Sequence, residues 1–130
     1  MPKSKTEVKL VSYGIYSQWD SESKDLPKLL KFTTDIPAEI DIEFGFIVNI
    51  KKAKGKQLHY CIKHPGILDE NGQLRAAFRG TVYVRDNNWS FFLGDTIWPP
   101  IADKLGAWHL SLELDGKLIA EKTFEIQNQL

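Results

Sequence analysis

Cysteine is nearly absent from this chain: Cys61 is the only one in 130 residues. No internal disulfide can form, which agrees with a reducing compartment. A surplus of charge is lacking as well, since 17 Lys and Arg balance 17 Asp and Glu. Without a net field the chain has no means of drawing in a phosphate backbone or an anionic lipid surface, so neither nucleic acid nor a membrane is an expected partner. No run approaches the roughly 20 apolar residues needed to span a bilayer. The opening Met1 to Glu7 has a basic flavour, but Val8 to Tyr16 is interrupted by Lys9, Ser12 and Gly14, so no signal peptide is read and a cytoplasmic protein is expected.

Signatures of chemistry are missing too. There is no Gly-x-Ser-x-Gly elbow and no recognisable order of Ser, His and acid for a serine nucleophile. Glycine-rich loops opening a helix, which would cradle a phosphate, do not occur. Asn88-Trp89-Ser90 fits the glycosylation sequon in form only, with no secretory context around it. No enzyme and no cofactor is therefore expected.

What the chain does have is alternation. A hydrophobic content of 42% is too high for a disordered segment. The length suits a single domain over residues 1–130 that buries about two thirds of its unfolded surface. From Glu39 to Lys51, Ile40, Ile42, Phe44, Phe46, Val48 and Ile50 alternate with polar residues, with Ile47 the one apolar break on the polar side. A period of two over that length predicts one strand with one face in a core. Leu58, Tyr60 and Ile62 share a phase in the next strand, ended by Pro65-Gly66, and Phe78, Val82 and Val84 share one in the run from Leu74 to Arg85. Asp86-Asn87-Asn88 then turns into a strand with Trp89, Phe91 and Leu93 on one face. Trp98-Pro99-Pro100 keeps Asp95 to Leu105 irregular.

The strongest local signal is the last one. Trp108, Leu110, Leu112 and Leu114 alternate with polar residues, and Asp115-Gly116 leads into Leu118 to Ile126, the pattern of a type I′ hairpin. Near the start, Val8 and Leu10 run through Gly14 to Ile15 as a bent first strand. Residues 17–31 look like an insertion rich in Ser, Asp, Glu and Lys. Leu26, Leu29 and Leu30 within it stand at helical spacing behind Pro27, so a short helix over 25–31 and a solvated loop are both open. Seven to eight short strands without intervening helices predict an all-β, antiparallel two-layer sandwich, with a closed barrel as the alternative.

Four stretches resemble a bacterial family catalogued as DUF3859, a domain of unknown function. They are the closing hairpin from Gly106-Ala107-Trp108 to Phe124, the Val11-Ser12-Tyr13-Gly14-Ile15-Tyr16 opening, Thr34-Asp35-Ile36-Pro37 leading into Glu43-Phe44-Gly45-Phe46, and the Pro65-Gly66-Ile67-Leu68-Asp69 turn. The resemblance implies an immunoglobulin-like β-sandwich and carries over no catalytic residue. It makes Trp98 and Trp108 packing residues. The charged segment before Phe32 is longer than in typical members.

Several side chains invite chemistry. His59 and Cys61, two apart on a strand, project from one face, but His64 has the opposite parity and zinc wants further ligands that only His109 on another strand might supply, so no metal is expected. Glu39, Asp41 and Glu43 form an acidic row that reads as a solvated face rather than a glycosidase pair. Recognition surface remains. With Trp89, Phe91 and Leu93 inward, Phe92 points outward, as does Tyr83 beside Val82 and Val84, and Ile47 and Ile119 would extend the same interaction patch. Cover by the Leu26 to Leu30 segment is the competing account of that face. The expected function is a non-catalytic protein-interaction module with an unknown protein partner or itself as a homodimer. The alternative is a small apolar-ligand binder with a pocket lined by Trp89, Trp98 and Trp108. An enzyme built on His59, His109 or the acidic row is the third and least favoured.

Overall fold

The alternating runs pair into strands in a computed structural model that describes residues 5–18 and 25–128. Among these residues there are nine strands: β1 (Glu7–Tyr16), β2 (Leu29–Lys31), β3 (Asp35–Pro37), β4 (Glu43–Lys51), β5 (Gln57–Lys63), β6 (Phe78–Tyr83), β7 (Asn88–Thr96), β8 (Gly106–Leu114) and β9 (Lys117–Gln127). One 3-10 turn, Ala102–Lys104, lies between β7 and β8. A four-stranded sheet in the order β2-β1-β4-β7 faces a five-stranded sheet in the order β3-β9-β8-β5-β6. Every pairing is antiparallel except the short parallel contact of β3 with β9. The all-β sandwich expected from the sequence is the fold.

The core lies between the sheets, where the period of two puts it. Phe44, Phe46, Val48 and Ile50 of β4 have no exposed surface, and they meet Leu58 of β5, Trp108, Leu110 and Leu112 of β8 and Phe124 of β9. The Phe44 ring stands edge-on to Trp108 and Phe124, with centroids 5.3 and 5.6 Å away. Such edge-to-face pairs add to the area burial that dominates the core. The predicted hairpin forms as read: Asp115 and Gly116 adopt positive φ of 52° and 77°, the backbone that a two-residue turn between right-twisted strands requires. Ile119 occupies a bulge, because Ala120 pairs with Leu112 while Leu118 pairs with Glu113.

Two expectations are corrected. The helix over 25–31 does not form; those residues are extended and end in β2, which pairs with β1 through Ile15 with Lys31 and Tyr16 with Leu29. A few residues behind a proline cannot repay helix nucleation, whereas the open side of β1 offers backbone partners at once. The neck of the 17–31 insertion is closed by Ser17 N donating to Lys28 O at 2.8 Å and Lys28 N to Ser17 Oγ at 2.9 Å, while residues 19–24 of it lie outside the described ones. Second, the strand predicted from Glu39 starts only at Glu43, because Ile40 and Asp41 form a turn with Asp41 at φ 72°. Asp86-Asn87 carries the chain across the sandwich from β6 to β7.

Candidate functional site

The four residues predicted to share an interaction patch are not brought together. Phe92 and Ile47 do point away from the core, opposite each other on β7 and β4, but they are buried, with 2% and 8% of their surface exposed. They form a second apolar cluster with Tyr16 on the outer face of the four-stranded sheet. Glycines make this possible. Gly14, Gly45 and Gly94 stand in register across β1, β4 and β7, leaving that face without side chains in one row. Phe92 lies where a Gly94 side chain would be, with its Cε2 2.8 Å from the position of a Cβ there. Tyr16 reaches back along β1 to share a 2.8 Å hydrogen bond with the Ser12 hydroxyl, and its ring meets Phe92 at 4.9 Å. Burial raises the Tyr16 phenol, partly offset by hydrogen bonds with Ser12 and the Ile47 backbone. Tyr83, by contrast, is exposed on β6 in the other sheet, where its hydroxyl accepts from Gln57 Nε2 at 3.1 Å. Ile119 packs against the main core.

The histidines are each occupied by a local partner. His59 Nδ1 shares a 3.0 Å hydrogen bond with Thr81 Oγ1 and His109 Nδ1 a 2.8 Å bond with Thr123 Oγ1. His64 turns to the far side of its strand end, as its parity implies: Nδ1 accepts from Ile67 N at 3.0 Å, Nε2 bonds Ala76 O, and the ring packs on Phe78 and Trp108. Among the described residues no three His, Cys, Asp or Glu side chains are placed to hold a metal. The acidic row dissolves as well, since Glu39 and Asp41 lie before the strand and Glu43 is buried rather than solvated. Nor do the tryptophans line one pocket. Trp98 and Trp108 touch at 6.3 Å, while Trp89 stacks with Phe91 near the start of β7 and sits beside Ile50.

A concavity with an apolar wall lies instead on one flank of the sandwich. There β6 ends one sheet and β7 ends the other, and a cleft of about 360 Å³ opens between them, lined chiefly by Tyr60, Ile62, Phe78, Phe91, Leu93 and Asp95. The inward phase that places Trp89, Phe91 and Leu93 against the core also carries Asp95 onto this wall. Tyr60 leans over Gly80 of β6, where any side chain would collide with its ring, so the aromatic reaches the flank. Apolar side chains also show on the opposite flank, at Leu29, Leu30 and Phe32, but β2 offers only three residues of strand.

Among the described residues Asp95 is the one charged group lining this cleft. Burial pushes its carboxyl up to about 6 from the ordinary 3.8, against the hydrogen bond from Thr96 N and the charge of Lys104. Lys104 itself is fully buried and committed elsewhere. Its Nζ donates to Pro100 O at 2.9 Å, pairs with Asp103, and lies 4.4 Å from the centre of the Trp98 ring, while its own carbonyl accepts from Trp108 Nε1 at 2.8 Å. Burial of Asp103 raises its carboxyl, but the hydrogen bond and charge of Lys104 outweigh it and leave the group below the usual range. The sequence reading missed Asp95, Tyr60 and Phe78 as a group. The signal for Asp95 was available, because it falls in phase with Trp89, Phe91 and Leu93.

A crystal structure of an immunoglobulin-like protein from Pseudomonas aeruginosa is similar to this sandwich, with a TM-score of 0.73 and 22% identity over 93% of this chain and 97% of that one. At that identity the likeness speaks for the fold. No curated protein matches the sequence. The expected resemblance, carried by the opening strand and the closing hairpin, extends along nearly all of the sequence: the profile of DUF3859, a domain of unknown function, matches residues 4–126, and the chain belongs to that family.

Proposed function

We propose that this protein is a non-catalytic, cytoplasmic interaction module that takes up an extended segment of another protein along β7, with side chains of that segment entering the β6–β7 cleft. The observation that carries this is the coincidence of two features on one flank. β7 is nine residues long and ends its sheet with no second strand partner among the described residues, and the apolar cleft runs beside it. An unpaired strand is a template of backbone donors and acceptors, and strand addition uses those for affinity and adjacent pockets for selectivity. The outward side chains of Phe92 and Ile47 are buried with Tyr16 in their own chain.

A selection of random peptides on the immobilised full chain tests this, followed by amide resonance mapping with the peptides obtained. The expected peptides are extended and rich in alternating β-formers, and they shift the amides of residues 88–96 and 78–83. Shifts confined to the His59 face, or no enrichment at all, would refute strand addition. A small apolar ligand is the second reading, favoured by the cleft volume of about 360 Å³, which lies within the usual range for such sites. It predicts shifts at Tyr60, Phe78 and Phe91 with apolar compounds and none along the outer backbone of β7. Self-association through β7 would appear as a dimer in sedimentation velocity.

A further inference from the structure

A carboxylate on the inward face of an edge strand is out of place unless something meets it. Trp89, Phe91 and Leu93 satisfy that face with apolar surface, and Asp95 follows them in the same phase. Inward-pointing charge on an edge strand discourages pairing with the wrong strand, since a mismatched neighbour would bury the charge without a counterion. Among the described residues no Lys, Arg or His forms an ion pair with Asp95. Lys104 acts on Asp95 only through its field, its ammonium being held by Asp103 and Pro100 O. The hydrogen bond from Thr96 N to Asp95 Oδ1 at 2.8 Å covers one of two oxygens.

A second copy of β7 is a poor occupant for the same reason. From Asn88 to Thr96 the strand contains no Lys or Arg. An antiparallel copy centred on Phe92 would set each Asp95 opposite Trp89 of the other chain and bury both carboxylates uncompensated. A partner strand with a cation at that register has the opposite effect: it neutralises Asp95 while the side-chain stem covers the apolar wall.

Resting on the strand-addition reading, we propose that the segment bound along β7 runs antiparallel to it and carries a lysine or arginine opposite Asp95, followed at alternate positions by apolar side chains. Alternate residues of an added strand share a face, so the pattern is basic–x–apolar–x–apolar. The apolar positions then lie opposite Leu93 and Phe91 and reach toward Ile62 and Phe78. Register and charge together would make Asp95 the residue that sets partner choice.

The probes are short peptides that alternate threonine with lysine, valine and phenylalanine in that order, a copy with glutamate in place of lysine, and a copy with the order reversed. Binding to the full chain and to Asp95→Asn is measured by calorimetry, with amide mapping of β7 alongside. The lysine peptide should bind the parent at least about tenfold more tightly than the glutamate peptide, and that ratio should fall below about threefold on Asp95→Asn. Equal binding of both peptides to the parent with β7 amides shifted, or a ratio that survives in Asp95→Asn, overturns the charge assignment and leaves strand addition standing. Tighter binding of the reversed peptide overturns the antiparallel register. Binding of neither, with β7 amides unmoved, overturns this inference and the strand-addition reading with it.

Discussion

Replacing Asp95 with asparagine should make the protein more stable at neutral pH, in a way that disappears in acid. The folded protein holds this carboxyl at about 6, whereas the unfolded chain returns it to 3.8, so the folded state binds the proton more tightly. A raised value of this kind contributes stability that is fully present below about pH 4 and is lost as the pH climbs through about 6. The difference of about 2.2 pH units corresponds to about 3 kcal/mol at about 1.4 kcal/mol per unit. Solvent reaches the mouth of the cleft, so about 2 kcal/mol is the working figure. Asparagine keeps the shape and still accepts the Thr96 N–H, and it removes the charge. For a domain of this size the gain at pH 7.5 should raise the melting temperature by about 6 to 10 °C. Thermal unfolding of both proteins between about pH 4 and 8, followed by tryptophan fluorescence, should give curves that converge near pH 4, move apart between about pH 4 and 6 and keep that separation above it. Asp103 does not confuse the comparison. Its lowered carboxyl contributes stability that is lost only as the pH falls below the ordinary carboxylate range, on the acid side of the Asp95 window. Parallel curves, or an Asp95→Asn protein less stable at neutral pH, would refute the claim that a half-buried, unneutralised charge sits on the cleft wall.

Phe46→Ala, at a position with no exposed surface in the centre of β4, should cost about 3 to 5 kcal/mol in urea unfolding, and a loss under about 1 kcal/mol would displace Phe46 from the core. Phe92→Ala should cost about 3 kcal/mol or more while Tyr83→Ala stays within about 0.5 kcal/mol, because one ring is buried on the glycine row and the other is 60% exposed. Equal effects would contradict that division of the two aromatics. Gly45→Ala places a Cβ against the Leu93 carbonyl oxygen and 2.6 Å from Gly94 Cα, both backbone, so a loss of about 3 kcal/mol or more is expected by chemical denaturation. Tyr16→Phe loses the Ser12 hydrogen bond, at about 1 kcal/mol near pH 7, but it escapes the alkaline loss. With its phenol raised, Tyr16 contributes stability that vanishes as the pH rises above about 10, so the two melting curves should approach each other there.

Much of the fold was legible along the chain. Phe44, Phe46, Val48 and Ile50 declare an inward face by alternation, as do Leu110, Leu112 and Leu114, because a strand's facing depends only on parity. Asp115-Gly116 declares its hairpin because the turn needs positive φ at two adjacent residues and little else. The candidate site was legible in pieces only. Parity put Asp95 with Leu93, but nothing local says that β7 ends its sheet, and only at an edge does an inward acid raise the question of what meets it.

Apart from the local turn at Ile40 and Asp41, where the sequence reading went wrong the cause was a neighbour distant along the chain. Phe92 and Ile47 point outward as parity requires, yet they are buried, because Gly14, Gly45 and Gly94 align across three strands and leave room for Tyr16 and Phe92 to lie on the sheet. Leu29 to Lys31 are extended because β1 offers hydrogen bonds at Ile15 and Tyr16. By itself, then, the sequence determined which side chains face inward and where hairpins turn, since both follow from backbone geometry over a few residues. The tertiary structure alone decided which strands are edges, which outward residues are covered and that the β6 and β7 edges enclose a cleft, because those depend on contacts between segments tens of residues apart.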